Sequence, residues 1–116
     1  MSAPVVNSEI EVTTHGEVAF VRVHGDLGTE EAQRLMPRLM SVVATRPELA
    51  ILDLSSSDSI SSLGMGAIME LRRAMIRFNG KVVLLGMKPF VRECFKLAGL
   101  IALFSEAQTL EEALLG

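Results

Sequence analysis

Six of the eight residues from 55 to 62 are serine, Asp58 and Ile60 being the exceptions. Hydroxyls at this density can cap a helix, solvate a loop or accept a phosphate. Ala50 to Leu54, just before them, is apolar except for Asp53 and too short for a helix, which predicts a strand covered on both faces. Beyond Ser62, the residues Leu63, Ala67, Leu71, Met75 and Phe78 recur three and four apart, as one face of a helix does. A buried strand therefore delivers the serines to a helix N-terminus, where unpaired N–H groups and a partial positive charge favour an anion. Sites in open α/β sheets gather beyond the C-terminal ends of the strands, which is this location. Ser62 is placed either as an N-cap or as a phosphate acceptor, and the residues alone leave both readings open.

Other chemistries find less support. Gly64-Met65-Gly66 is only the start of a dinucleotide fingerprint, with Met69 where the third small residue belongs. Each glycine costs about 1 kcal/mol in a helix relative to alanine, so the pair serves either close packing or the approach of a partner or phosphate. No Gly-Lys-Ser or Gly-Lys-Thr loop and no Gly-x-Ser-x-Gly is present, and His15 and His24 have no second histidine or cysteine at ligand spacing. Neither a cofactor nor a metal nor a catalytic residue is expected. A phospho-aspartate receiver is the nearest decoy, since Asp53 follows a central strand and Lys88-Pro89-Phe90 comes later. Ile10 to His15 lacks the acidic pair that would hold Mg²⁺, and the 35 positions from Asp53 to Lys88 are too few for the intervening elements.

The chain's 116 residues suit one domain spanning 1–116, large enough to bury roughly two thirds of its unfolded surface. Its core must be aliphatic: 49% of residues are hydrophobic, but the aromatics are five Phe, alongside seven Met. Eleven basic against fourteen acidic residues give a net charge of −3 with no basic cluster, which argues against nucleic acid. Cys94 is the lone cysteine, excludes an internal disulfide and falls on a helical pattern as a small core residue. Met1 to Glu9 lacks a secretory start, and no stretch reaches the roughly 18 apolar residues of a membrane span. A soluble cytoplasmic protein without membrane insertion is the expectation.

The elements follow from period and punctuation. Ile10 and Val12 alternate with polar residues, Thr14-His15-Gly16-Glu17 turns the chain, and Val18 to Val23 returns as a second, antiparallel strand. His24 ends that strand beside the Gly25 bend. Thr29 is positioned to cap a helix with Ala32, Leu35, Met36, Leu39, Met40 and Val43 on one face, which Pro37 should kink or leave irregular in its first turn. Asn79-Gly80 stops the helix that begins near Ser62, and Lys81 to Leu85 is a second buried strand. Pro89 opens a helix with Val91, Cys94, Phe95 and Ala98 facing the core. Ile101 to Phe104 is expected as a short edge strand, and Thr109 with Glu112 has capping-box spacing. The fold class predicted is α/β: a mixed, mostly parallel sheet of four to five strands packed with about four helices.

Asp53-Leu54-Ser55 through Ile60-Ser61-Ser62-Leu63-Gly64-Met65-Gly66-Ala67-Ile68 resembles the signature region of the STAS domain family, as found in bacterial anti-sigma factor antagonists. The resemblance runs over nearly the whole chain, through Gly25-Asp26-Leu27, Gly80, Lys88-Pro89-Phe90-Val91 and Ala98-Gly99-Leu100. The family signature reads Asp-Ser-Ser-Gly-Leu-Gly, and its first serine is phosphorylated by an ATP-dependent serine kinase that is also the anti-sigma factor. Aligned without a gap, that serine falls on Ser62, with Ser61 as the alternative acceptor. Ser61, Leu63 and Gly28 stand where the family has an acid, a serine and a second acid.

The resemblance implies a STAS-like fold and a non-enzymatic module that binds the kinase-type anti-sigma factor and releases it on phosphorylation. It also implies a partner surface formed by Ser57, Asp58, Ser59, Ser61, Ser62, Leu63, Gly64, Met65 and Asp26. The alternative within the family is a constitutive interaction subunit, as in lipid-transport or stress-signalling complexes.

Overall fold

A computed structural model describes residues 10–116; the expectation of no secretory start over residues 1–9 lies outside them. Five strands form one sheet in chain order: β1 (Ile10–His15), β2 (Val18–Val23), β3 (Leu49–Asp53), β4 (Lys81–Leu85) and β5 (Ser105–Ala107). β1 and β2 are antiparallel, and each later neighbour pair is parallel. The helices are α1 (Thr29–Ala44), α2 (Ser62–Ile76), α3 (Pro89–Leu97) and α4 (Leu110–Leu114). The mixed, mostly parallel sheet with four helices is the predicted fold class.

Alternation along the strands sorts their side chains into two unequal cores. Ala19, Val21 and Val23 of β2, Ala50 and Leu52 of β3, and Val82 and Leu84 of β4 join Leu35, Leu39, Ile68, Leu71, Val91 and Phe95 from α1, α2 and α3. On the other face Leu49, Ile51 and Val83 meet Ala107 and Ala113, with α4 as cover. β3 is thus buried on both sides, as its apolar run requires. The receiver reading does not survive this topology, because consecutive strand order with an antiparallel first pair is not the 2-1-3-4-5 order of that architecture.

Several local expectations are corrected. The N-cap of α1 is Gly28 rather than Thr29, and α1 runs unbroken through Pro37, where the Ser41 hydroxyl donates to the Pro37 carbonyl (3.0 Å). Residues Ile101–Leu103 form a single 3-10 turn, and the edge strand is Ser105–Ala107. An apolar run there reads as strand, but Phe104 uses its side chain to fill the core edge-to-face against Phe95 (centroids 5.8 Å). Cys94 is half-buried and Ala98 exposed, so α3 buries a narrower face, Val91 and Phe95. The Thr109 cap is present: its hydroxyl accepts from the Glu112 N–H (3.2 Å) and faces the Glu112 carboxylate (3.3 Å). Thr109→Ala is expected to cost about 1 kcal/mol, measured by urea denaturation, because α4 is short and depends on its first turn.

Candidate functional site

The serine loop crosses from the C-terminal end of β3 to the start of α2, beside the segment joining β2 to α1. The two segments are stitched together. Leu27 N–H donates to Ser59 O (3.2 Å) and Ser61 N–H to Leu27 O (2.8 Å), around a parallel bridge between Leu27 and Ile60. Asp26 Oδ1 accepts from the N–H groups of Asp58 (2.8 Å) and Ser59 (3.2 Å). The Ser57 hydroxyl donates to Gly25 O (2.7 Å), and Lys88 Nζ holds Asp58 Oδ1 at 2.6 Å. At the other end of the loop Asp53 accepts from the Ser55 N–H (2.9 Å) and pairs with Arg22 (3.2 Å). Asp53 and Lys88 are therefore committed to different partners, unlike the receiver pair they imitate.

The structure separates the two adjacent serines by role. Ser61 is the N-cap of α2: its backbone is extended and its hydroxyl accepts from the Gly64 N–H (3.0 Å). Ser62, read as a possible cap, is the first helical residue, exposed, and its hydroxyl has no partner among the described residues. The reason is one turn of geometry. A cap must reach the N–H two or three residues on from a non-helical backbone, and Ser62 is already helical. The N–H groups of Ser62 and Leu63 have no acceptor among the described residues, so the outer tip of α2 presents a free hydroxyl beside two free donors. Ser61→Ala should lower stability by about 1 kcal/mol, whereas Ser62→Ala should leave the denaturation midpoint unchanged.

Not every residue assigned to the surface faces outward. Ser57 is 1% exposed and Gly64 is buried, so both support the loop from beneath. A Cβ on Gly64 would lie 2.9 Å from Ile60 Cγ1 and 3.0 Å from Leu27 O, whereas one on Gly66 meets nothing within 4 Å. The two glycines thus divide the readings left open in the sequence: Gly64 packs, and Gly66 leaves the outer face of α2 bare. Leu63, expected to begin the buried row, is 52% exposed; the row that packs inward is Gly64, Ala67, Ile68, Leu71 and Met75. A groove of about 350 Å³ between α1 and α2 continues from Leu63 to Gly66, Met36, Gln33 and Glu70. Its α1 wall, Gln33 and Met36, was missed in the sequence, since a 3.6-residue period says nothing about which helix lies alongside.

Asp58 and Asp26 are exposed, Ser59, Ser61 and Met65 half-buried. The hydrogen bonds from the N–H groups of Asp58 and Ser59 hold the Asp26 carboxyl below the usual aspartate range. Such a depressed group stabilises the loop above its unfolded value and loses that contribution as pH falls through its folded value. Amide resonances of Asp58 and Ser59 should accordingly shift together in an acid titration, with a midpoint below that of a free aspartate. A larger concavity, about 810 Å³, lies on the opposite face of the sheet, against Phe20, Ile51, Leu85 and Leu114. No residue from 57 to 65 lines it. The serine site is a projecting surface, suited to another macromolecule more than to an enclosed small ligand.

Among the described residues no helix is long and apolar enough to cross a membrane, and no group of three His, Cys, Asp or Glu is arranged to hold a metal.

A bulge-free parallel sheet opened by an antiparallel hairpin, with a serine at the tip of its second helix, defines a class that comparison with known proteins confirms. Residues 9–113 match the STAS domain family model, and the chain belongs to that family. BtrV of Bordetella bronchiseptica, described as a candidate anti-sigma factor antagonist, is 30% identical over 91 residues, 78% of each chain. The crystal structure of an anti-sigma factor antagonist from Mycobacterium paratuberculosis superposes with a TM-score of 0.81 at 27% identity, over 99% of this chain and 97% of that one. Unphosphorylated SpoIIAA, an anti-sigma factor antagonist, shares the fold at a TM-score of 0.80 and 20% identity, over 90% of this chain and 92% of that one.

Proposed function

We propose that this protein is an anti-sigma factor antagonist: a cytoplasmic, non-enzymatic binding module that captures a kinase-type anti-sigma factor and loses it when Ser62 is phosphorylated. One observation carries the reading. Ser62, on which the family's phosphorylated serine falls when the signatures are aligned without a gap, stands exposed and unbonded at the first position of α2, while its neighbour Ser61 does the capping. The names of BtrV and of the mycobacterial antagonist support the same role. Leu63, Met65, Asp58, Ser59 and Ser61 flank the hydroxyl and form the surface the partner covers.

Incubation with the ATP-dependent anti-sigma kinase of the same organism, followed by mass spectrometric mapping, is expected to find one phosphate, on Ser62. No modification at Ser61 or Ser62 would overturn the switch. A second reading, a constitutive interaction subunit of a transport-type complex, is favoured by Ser61 and Gly28, which replace the family's two acids near the acceptor. Recovery of a transporter ATPase whose binding is unchanged by Ser62→Asp would establish that reading instead.

A further inference from the structure

Asp26 is exposed, yet its carboxylate is occupied by its own chain. Both N–H groups that it accepts, from Asp58 at 2.8 Å and Ser59 at 3.2 Å, converge on the single oxygen Oδ1. The backbone bonds on either side, Leu27 N–H to Ser59 O and Ser61 N–H to Leu27 O, continue the same seam towards the acceptor serine. Ser57 closes the seam at its other end through Gly25 O. Three successive residues of the β2–α1 connection therefore dictate the path of residues 57–61, and Asp26 contributes the side chain among them.

We infer that Asp26 is a positioning residue, which sets the path of the serine loop and so the place where Ser62 is presented, and that it does this by accepting two backbone N–H groups rather than by offering its charge to the partner. The inference rests on the reading of Ser62 as the phosphate acceptor. Without an acceptor at Asp26, the N–H groups of Asp58 and Ser59 turn to water and the loop keeps its bridge at Leu27 but loses its outer half. Lys88 then still tethers the Asp58 side chain, but a flexible ion pair does not fix the backbone as two convergent N–H bonds do. Leu27 beneath is fully buried in the main core while Asp26 is exposed, so the fold should survive the loss.

Because both bonds fall on one oxygen, geometry and charge can be separated. Asparagine at 26 can offer its amide oxygen to the same two donors while carrying no charge, and alanine can offer nothing. Wild type, Asp26→Asn and Asp26→Ala are compared by NMR amide exchange at Asp58 and Ser59. The same three proteins are compared in kcat and KM for phosphate incorporation at Ser62 by the anti-sigma kinase with ATP. In Asp26→Ala, exchange should accelerate and kcat/KM should fall, each by about tenfold, the scale of a lost hydrogen bond to a charged group. Its melting temperature should hold.

Asp26→Asn, which keeps an acceptor but not the charge-assisted strength of the bonds, should fall between wild type and Asp26→Ala in both readouts. Equal losses of phosphorylation in both variants, with the Asn variant's amides still protected, would mean that the partner reads the charge, and would overturn the inference. So would unchanged exchange in Asp26→Ala. If wild type itself takes no phosphate at Ser62, the functional reading fails, while amide exchange still decides whether Asp26 sets the loop.

Discussion

Ser62→Asp, or phosphate on Ser62, is expected to weaken partner binding by about 100-fold, close to 2.7 kcal/mol, with the melting temperature unchanged or slightly raised. The two halves of this expectation have different sources. Within the chain, the new negative charge sits at the first turn of α2, whose Ser62 and Leu63 N–H groups are free and whose first turn holds no acidic residue. A charge at that end of a helix is favourable by roughly 0.3 to 1 kcal/mol. Across an interface the same charge is buried against a surface that had met a small hydroxyl and the exposed Leu63, so desolvation and steric conflict dominate. Isothermal titration calorimetry of the kinase-type partner with wild type, Ser62→Ala and Ser62→Asp tests it. Ser62→Ala should bind like wild type and escape the switch. Retention of wild-type affinity by Ser62→Asp would point to a constitutive subunit.

Gly64→Ala and Gly66→Ala should move stability in opposite directions although the positions lie two residues apart on one helix. At Gly64 the added methyl meets Ile60 Cγ1 at 2.9 Å, Leu27 O at 3.0 Å and Leu27 Cβ at 3.3 Å. The middle contact is backbone belonging to the bridge that orders the serine loop, so α2 must lift away from it, at a cost of about 1–3 kcal/mol. At Gly66 the methyl enters open space, and only the gain in helix propensity remains, roughly 0.5–1 kcal/mol of stabilisation. Chemical denaturation of the two variants should therefore bracket wild type, with a spread of about 1.5–4 kcal/mol. A Gly66→Ala protein less stable than wild type would mean that α2 packs differently from the arrangement described here.

Within the fold, the elements with a sustained apolar period were readable in advance. The segment around Ala50, Ile51 and Leu52 had to be a strand covered twice because consecutive residues there are apolar on both faces, and the spacing from Ala67 to Met75 had to be a helix face. Besides the apolar run at 101–104, which is a 3-10 turn over Ile101–Leu103, and the narrower face of α3, the expectations that failed concern where a pattern stops. Leu63 continues the apolar spacing of α2 yet is half in solvent, because it stands on the open groove between α1 and α2 and not against the sheet core. Thr29 and Ser62 were each read one position late as caps, because capping depends on where the backbone enters the helix, and composition marks that point only to within a residue or two.

What the amino-acid order determined by itself was an α/β chain with a serine-dense loop delivered to a helix start, since apolar period and turn residues act over a few neighbouring positions. What tertiary structure decided was the use of each hydroxyl. Ser57 lies under the loop bonded to Gly25, Ser61 caps α2, and Ser62 is left free, a division made by residues 25–27 lying against residues 57–61. Those contacts join positions about thirty residues apart, and a local pattern carries no record of which distant segment will supply an acceptor.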